Sequence, residues 1–164
     1  MKKPILGLIL VVLLCLAFGC QNEAEKAELE KFRAQAKLDE ENKALVSRLY
    51  EALNKKDFGA LKELLAPDYV YYSPSNSTKP HSLAEFLEAL KEFHTVAFPD
   101  TNFSVEELIA SGNKVVSRWI IKGTNRGEFE GLPATEKRIE TSGIMIIRAE
   151  NGKIVEHRED WDML

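Results

Sequence analysis

The chain has 164 residues, of which 45% are apolar and 29% charged, with a formal net charge of −4. That length suits one domain, and the composition is that of a folded soluble protein rather than a disordered or collagenous one. The acidic balance argues against non-specific attraction to a phosphate backbone, so nucleic acid is not an expected partner. Both cysteines, Cys15 and Cys20, fall in one uncharged run, and the rest of the chain can form no disulfide.

The first segment reads as an address. Met1-Lys2-Lys3 is a short positive region, and Ile5 to Phe18 is an apolar run too short for a comfortable span, which needs roughly 20 residues. Leu16-Ala17-Phe18-Gly19-Cys20 resembles a bacterial lipobox, in which the cysteine is lipidated and becomes the first residue of the mature protein. An ordinary cleaved signal or an uncleaved anchor are the alternatives. The lipobox reading makes residues 1–19 a signal peptide and Cys20 the lipid attachment point. It places the protein extracytoplasmically in a bacterial cell envelope, at the outer membrane if the cell has one. Gln21 follows the cysteine, where Asp would suggest inner-membrane retention.

Residues 20–43 read as a helical tether, rich in Ala, Glu and Lys, with Leu29, Phe32 and Leu38 widely spaced. The domain proper is expected over 44–164. Leu45, Leu49 and Leu53 recur at four-residue spacing, the mark of an amphipathic helix packed on something. Asp57 is placed to cap a short helix carrying Phe58, Leu61, Leu64 and Leu65, which Pro67 ends. Tyr69 to Tyr72 is β-prone, and residues 73–81 (SPSNSTKPH) read as a loop. Ser82 and Glu85 have capping-box spacing, opening a third helix that Phe98-Pro99-Asp100 stops.

From Thr101 the period changes to two. Asn102 to Ile109, Lys114 to Thr124, Arg138 to Arg148 and Lys153 to Trp161 read as strands, with turns at Ser111-Gly112-Asn113 and Glu150-Asn151-Gly152. Helices with one early strand, then a run of antiparallel hairpins, make an α+β layout with helices on one face of a curved sheet.

No metal, phosphate-loop or nucleophile motif appears, so neither a metal nor a cofactor is expected. His81, His94 and His157 are scattered. Acid–base chemistry or plain binding remains. In the last strand, alternation puts Ile154, Glu156, Arg158, Asp160 and Asp162 on one face and Val155, His157, Glu159 and Trp161 on the other. Such charges either tune one another's pKa in a site or form a solvated edge. Trp119, mid-strand, reads as core. Arg118, on the opposite face, pairs with a carboxylate such as Glu156 or Asp160, or reads an anionic ligand. His94 reads equally as a site residue or as a cation at a helix end.

Several segments in order resemble the SnoaL-like polyketide cyclase family of the nuclear transport factor 2-like superfamily. They are Asn54 to Leu61, Ala66 to Val70, Ala97 to Asp100, Gly123 to Phe129, Gly143-Ile144 and Asn151 to Glu156. The resemblance implies an α+β cone, with about three helices on the concave face of a curved, mainly antiparallel mixed sheet, and a homodimer formed through the sheet's open face. By the family's last-strand pattern, a proton-moving carboxylate falls at Asp162. Arg158 stands where the family usually has tryptophan, Asn125 where it often has histidine, and Tyr72 likewise in place of histidine. Two functions follow. In one, a lipid-anchored domain binds a small hydrophobic molecule in the cone, with Tyr72, Arg118, Asn125, Arg158 and Asp160 as candidate ligand contacts. In the other, Asp162 is the general acid/base of a cofactor-free cyclase or isomerase acting next to a carbonyl, with Tyr72, Asn125 and Arg158 orienting the substrate.

Overall fold

The computed structural model describes the backbone of residues 3–73, 76–129, 131 and 133–161, and the side chains of 23–72, 78–129, 131 and 133–161. Helix α1 (Lys3–Lys55) is followed by α2 (Phe58–Leu64), β1 (Leu65–Ser73), β2 (Asn76–Ser82) and α3 (Leu83–Glu92). A π-helical turn (Phe93–Ala97) leads into β3 (Asn102–Ser111), β4 (Lys114–Thr124), β5 (Arg138–Glu150) and β6 (Lys153–Trp161). By its internal contacts the chain divides into Met1–Lys37 and Leu38–Leu164. In the first unit, residues 23–37 are helical and exposed throughout. Among the described residues no helix is long and apolar enough to cross a membrane.

The second unit holds the core. Leu45, Val46, Leu49, Tyr50 and Leu53 form one buried stripe of α1 at helical spacing. Side-chain amides then fasten this helix to the sheet. Asn54 pairs both ways with the backbone of Phe103, donating at 2.9 Å and accepting at 2.7 Å. Twelve residues earlier Asn42 donates to the carbonyl of Gly112, while Asp39 accepts from its N–H. The helix stops in a Schellman-type turn, with Lys56 at φ 54° and the Asp57 N–H on the Ala52 carbonyl. Asp57 then caps α2 through the Ala60 N–H, as its position suggested. Ser82 and Glu85 complete the expected capping box on α3.

The six strands form one curved sheet in the order β2-β1-β6-β5-β4-β3. Only β1 and β6 run parallel; the other neighbours are antiparallel. The turn at Asn151-Gly152 has both residues at positive φ, as a two-residue hairpin requires. Residues 73–81 are not a plain loop. Part of them forms β2, an edge strand paired with β1, and an edge accepts Pro80 because a missing N–H there can face solvent. The fold is thus three helices and a mixed, mainly antiparallel sheet, as the helix-then-hairpin order implied.

Candidate functional site

Alternation along β6 decides which side chains face inward. Burial follows Val155 and His157, with Glu159 and Trp161 next in phase, while Arg158 and Asp160 are exposed. The inward residues contribute to a cavity of about 260 Å³ between the helices and the sheet. Helix α1 supplies Leu49 and Leu53, and α3 with its π-helical turn supplies Phe86, Leu90, Phe93 and His94. The sheet supplies Tyr71, Phe103, Trp119, Met145, His157, Glu159 and Trp161. Gly143 lies in register between Trp119 and Trp161, and only a missing side chain lets the indoles meet with centroids 6.3 Å apart. A Cβ on Gly143 would collide with the Trp119 ring and come 2.7 Å from Trp161 Cβ.

The polar groups in this apolar space form a connected chain. Tyr71 donates its hydroxyl to Glu159 Oε1 at 2.6 Å. His157 Nε2 faces Glu159 Oε2 at 3.5 Å, and its Nδ1 bonds the Tyr69 hydroxyl at 3.0 Å. The Tyr69 contact fits either tautomer, since Nδ1 can accept from the hydroxyl or donate to it. Burial alone would raise the Glu159 pKa. The His157 hydrogen bond and charge, with the Tyr71 hydroxyl, outweigh that and hold it below the ordinary glutamate value. Glu159 is therefore a carboxylate near neutral pH. Burial, reinforced by the charge on Glu159, pushes the Tyr69 phenol well above its ordinary value, so it keeps its proton.

His94 sits elsewhere in the cavity wall. It is only 1% exposed, bonds the Thr101 hydroxyl through Nδ1 at 2.6 Å, and packs against Phe93 and Phe103. Burial, with a smaller contribution from Lys56, pushes its pKa down to about 4. It is thus a neutral ring and not a helix-end cation. Among the described residues its Nε2, the Nε1 of Trp119 and the Nε2 of His157 are buried without a hydrogen-bond partner.

The candidate ligand contacts Tyr72, Arg118, Asn125, Arg158 and Asp160 do not line this cavity. Tyr72 and Arg158 stack on each other, the guanidinium 3.7 Å from the ring centroid, and Arg158 also binds Glu156 at 2.7 Å. They are one residue out of phase with Tyr71 and His157, which puts them on the opposite face of the sheet. Arg118 pairs with Glu106 at 3.2 Å, rather than with Glu156 or Asp160, and shares a shallow open depression with Asp160. Asn125 is buried but occupied: it donates to the Gly127 carbonyl and accepts from the N–H and hydroxyl of Thr135, tying down the β4–β5 connection. Trp119 belongs to the core, as expected, and also faces the cavity. Asp162 lies outside the described residues, as does the side chain of Cys20. Among the described residues no group of His, Cys, Asp and Glu could hold a metal ion.

Residues 43–164 match the family model for SnoaL-like polyketide cyclases. The chain belongs to that family. No curated protein matches significantly. Among solved structures, AclR from Streptomyces galilaeus is similar at 30% identity and a TM-score of 0.68, over 76% of this chain and 91% of that one. IdmH from Streptomyces antibioticus is also 30% identical, with a TM-score of 0.66 over 74% and 91% of the two chains. A SnoaL-like protein from Jannaschia Sp. CCS1, at 20% identity, has a TM-score of 0.69 over 77% and 88%. The nuclear transport factor 2-like fold expected over 44–164 is accordingly that of this SnoaL-like domain. On its inward face Tyr71 and His94 join His157 and Glu159, two residues that the sequence reading did not single out as a site. The signal was present: Val155 and Trp161 share the parity of His157 and Glu159, and two large apolar residues mark the buried side of a strand.

Proposed function

We propose that the SnoaL-like domain binds a small, largely apolar molecule in its cavity, held at the surface of a bacterial envelope membrane by lipid on Cys20. The observation that carries this reading is the cavity itself, largely apolar in its walls, with the hydrogen-bonded carboxylate of Glu159 among them. Native mass spectrometry of residues 21–164 tests it. A small molecule retained on the folded protein and lost on unfolding is expected, and an empty protein that takes up no apolar probe overturns the reading. The outer face of the sheet exposes Ile109, Ile144 and Ile146, which suits the homodimer contact implied by the family.

The chain Tyr69–His157–Glu159–Tyr71 favours a second reading, in which the same cavity catalyses proton transfer next to a carbonyl. Glu159 would accept the α-proton, and His157 with Tyr71 would hold the carboxylate in place. The relatives carry two designations, hydroxylase for AclR and polyketide cyclase for IdmH, so likeness at 30% identity does not choose the reaction. Exchange of the α-protons of indanone in heavy water separates the candidates. Loss of exchange in Glu159→Gln but not in Asp162→Asn supports the cavity base. The reverse assigns the role to Asp162, and no exchange above buffer removes the catalytic reading.

A further inference from the structure

We propose that the cavity takes an organic cation: an apolar body carrying a protonated amine that sits against Glu159. This rests on the cavity being a binding site and specifies what it binds. The charge inventory of the wall gives the direction. Among the described residues that line it, the only carboxylates are Glu85 and Glu159, and beside them stand His81, His94 and His157 but no lysine or arginine. Glu85 spends one oxygen capping α3 through the N–H and hydroxyl of Ser82, which places it at the helix start. Glu159 lies within the strand, its Oε1 accepting from the Tyr71 hydroxyl while its Oε2 faces His157 Nε2 at 3.5 Å without a hydrogen bond between them. A carboxylate has about four acceptor sites, so further capacity remains. A second anion brought into this space would meet Glu159 at low dielectric and be repelled.

The walls supply what an ammonium group uses besides a counter-ion. Phe86 and Tyr71 pack with centroids 5.0 Å apart beside His157, and Trp161 follows Glu159 on the same face of β6. Aromatic faces attract a desolvated cation through the negative face of the ring. The uncommitted polar atoms extend the description. Trp119 is 2% exposed, and its Nε1–H has no acceptor; His94 Nε2 is likewise unpartnered. Trp119 is in register with Gly143 and Trp161, and Glu159 with Met145, so the two anchors are two residues apart along the sheet and, with β5 between them, two strands apart across it. Two residues along a strand span about 7 Å and two strand spacings about 10 Å, so their backbone positions lie roughly 12 Å apart. A ligand with its ammonium at Glu159 and an ether or carbonyl oxygen facing Trp119 would satisfy both. An indole N–H can only donate, and it calls for an acceptor.

Three probes of one shape and different charge test the inference on the full chain: protonated aminoindane, indanol and indane carboxylate, compared by calorimetric titration. The cation is expected to bind at least about tenfold tighter than the alcohol, with the carboxylate weakest. In Glu159→Gln the cation should fall to the level of the alcohol, while Glu156→Gln, on the outer face, leaves the order unchanged. The comparison of probes on the unaltered chain stands even if a variant fails to fold. Equal or tighter binding of the alcohol or the carboxylate overturns the cation inference and leaves the cavity reading in place. No binding by any of the three overturns both.

Discussion

His94 makes the protein sensitive to mild acid. Its ring is buried against Phe93 and Phe103 and titrates near 4, against about 6.5 for an ordinary histidine. The folded state therefore resists taking up a proton that the unfolded chain accepts. The stabilising contribution is complete above the unfolded value and is lost as the pH falls towards the folded one. Over the whole window the loss is at most about 3.4 kcal/mol, at about 1.36 kcal/mol for each tenfold change in proton affinity. Between near pH 7 and near pH 5 it comes to about 2 kcal/mol, which is a large part of the stability of a typical domain. Urea unfolding at the two values measures the loss. His94→Gln keeps a group able to bond Thr101 but does not titrate, so the difference between it and the native chain isolates this residue from every other titration. The native chain should lose about 2 kcal/mol more than the variant. Equal losses, or a resonance of His94 that titrates at 6.5 or above, would refute the burial argument.

Three further outcomes follow from the packing and the anchor. Gly143→Ala forces a methyl between the two indoles and should destabilise the domain by about 1–3 kcal/mol by urea unfolding, with the Trp119 fluorescence altered. Ile144→Glu on the exposed sheet face should turn a dimer into a monomer in sedimentation velocity, and an unchanged dimer rules out that face. Cys20→Ser should abolish metabolic labelling with palmitate; unchanged labelling refutes the lipid anchor.

The architecture was legible because each element announces its period. Four-residue leucine spacing marks the buried part of α1, the Ser82–Glu85 box opens α3, and Asn151-Gly152 closes the last hairpin. The β2 edge strand was not, since Ser, Thr and Pro favour turns and its pairing comes from β1, a tertiary partner. The third helix was expected to run to Phe98, but its last turn loosens into a π-helix that seats His94 against Thr101.

For the site, alternation divided β6 correctly, but the choice between its two faces followed charge instead of burial. Arg158 and Asp160 looked functional because they are polar; the structure gives them solvent, Tyr72 and Glu156. Glu159 is the informative carboxylate because its parity is that of Val155 and Trp161. Asn125 shows a different difficulty: a buried asparagine that fastens a connection has the same one-letter appearance as one that reads a ligand. The hydroxyls of Tyr69 and Tyr71 meet His157 and Glu159 only through the parallel pairing of β1 with β6, which no local pattern encodes.

The central claim is that ligands enter the cavity and not the outer face of the sheet. A proton–nitrogen correlation spectrum recorded during titration with aminoindane and indanol tests this directly, because Trp119 lines the cavity while the Arg158 side chain lies outside it. The Trp119 indole signal should move with saturation while the Arg158 side-chain signal stays fixed. Movement of Arg158 with an unchanged Trp119 would place the ligand on the outer face and contradict the account.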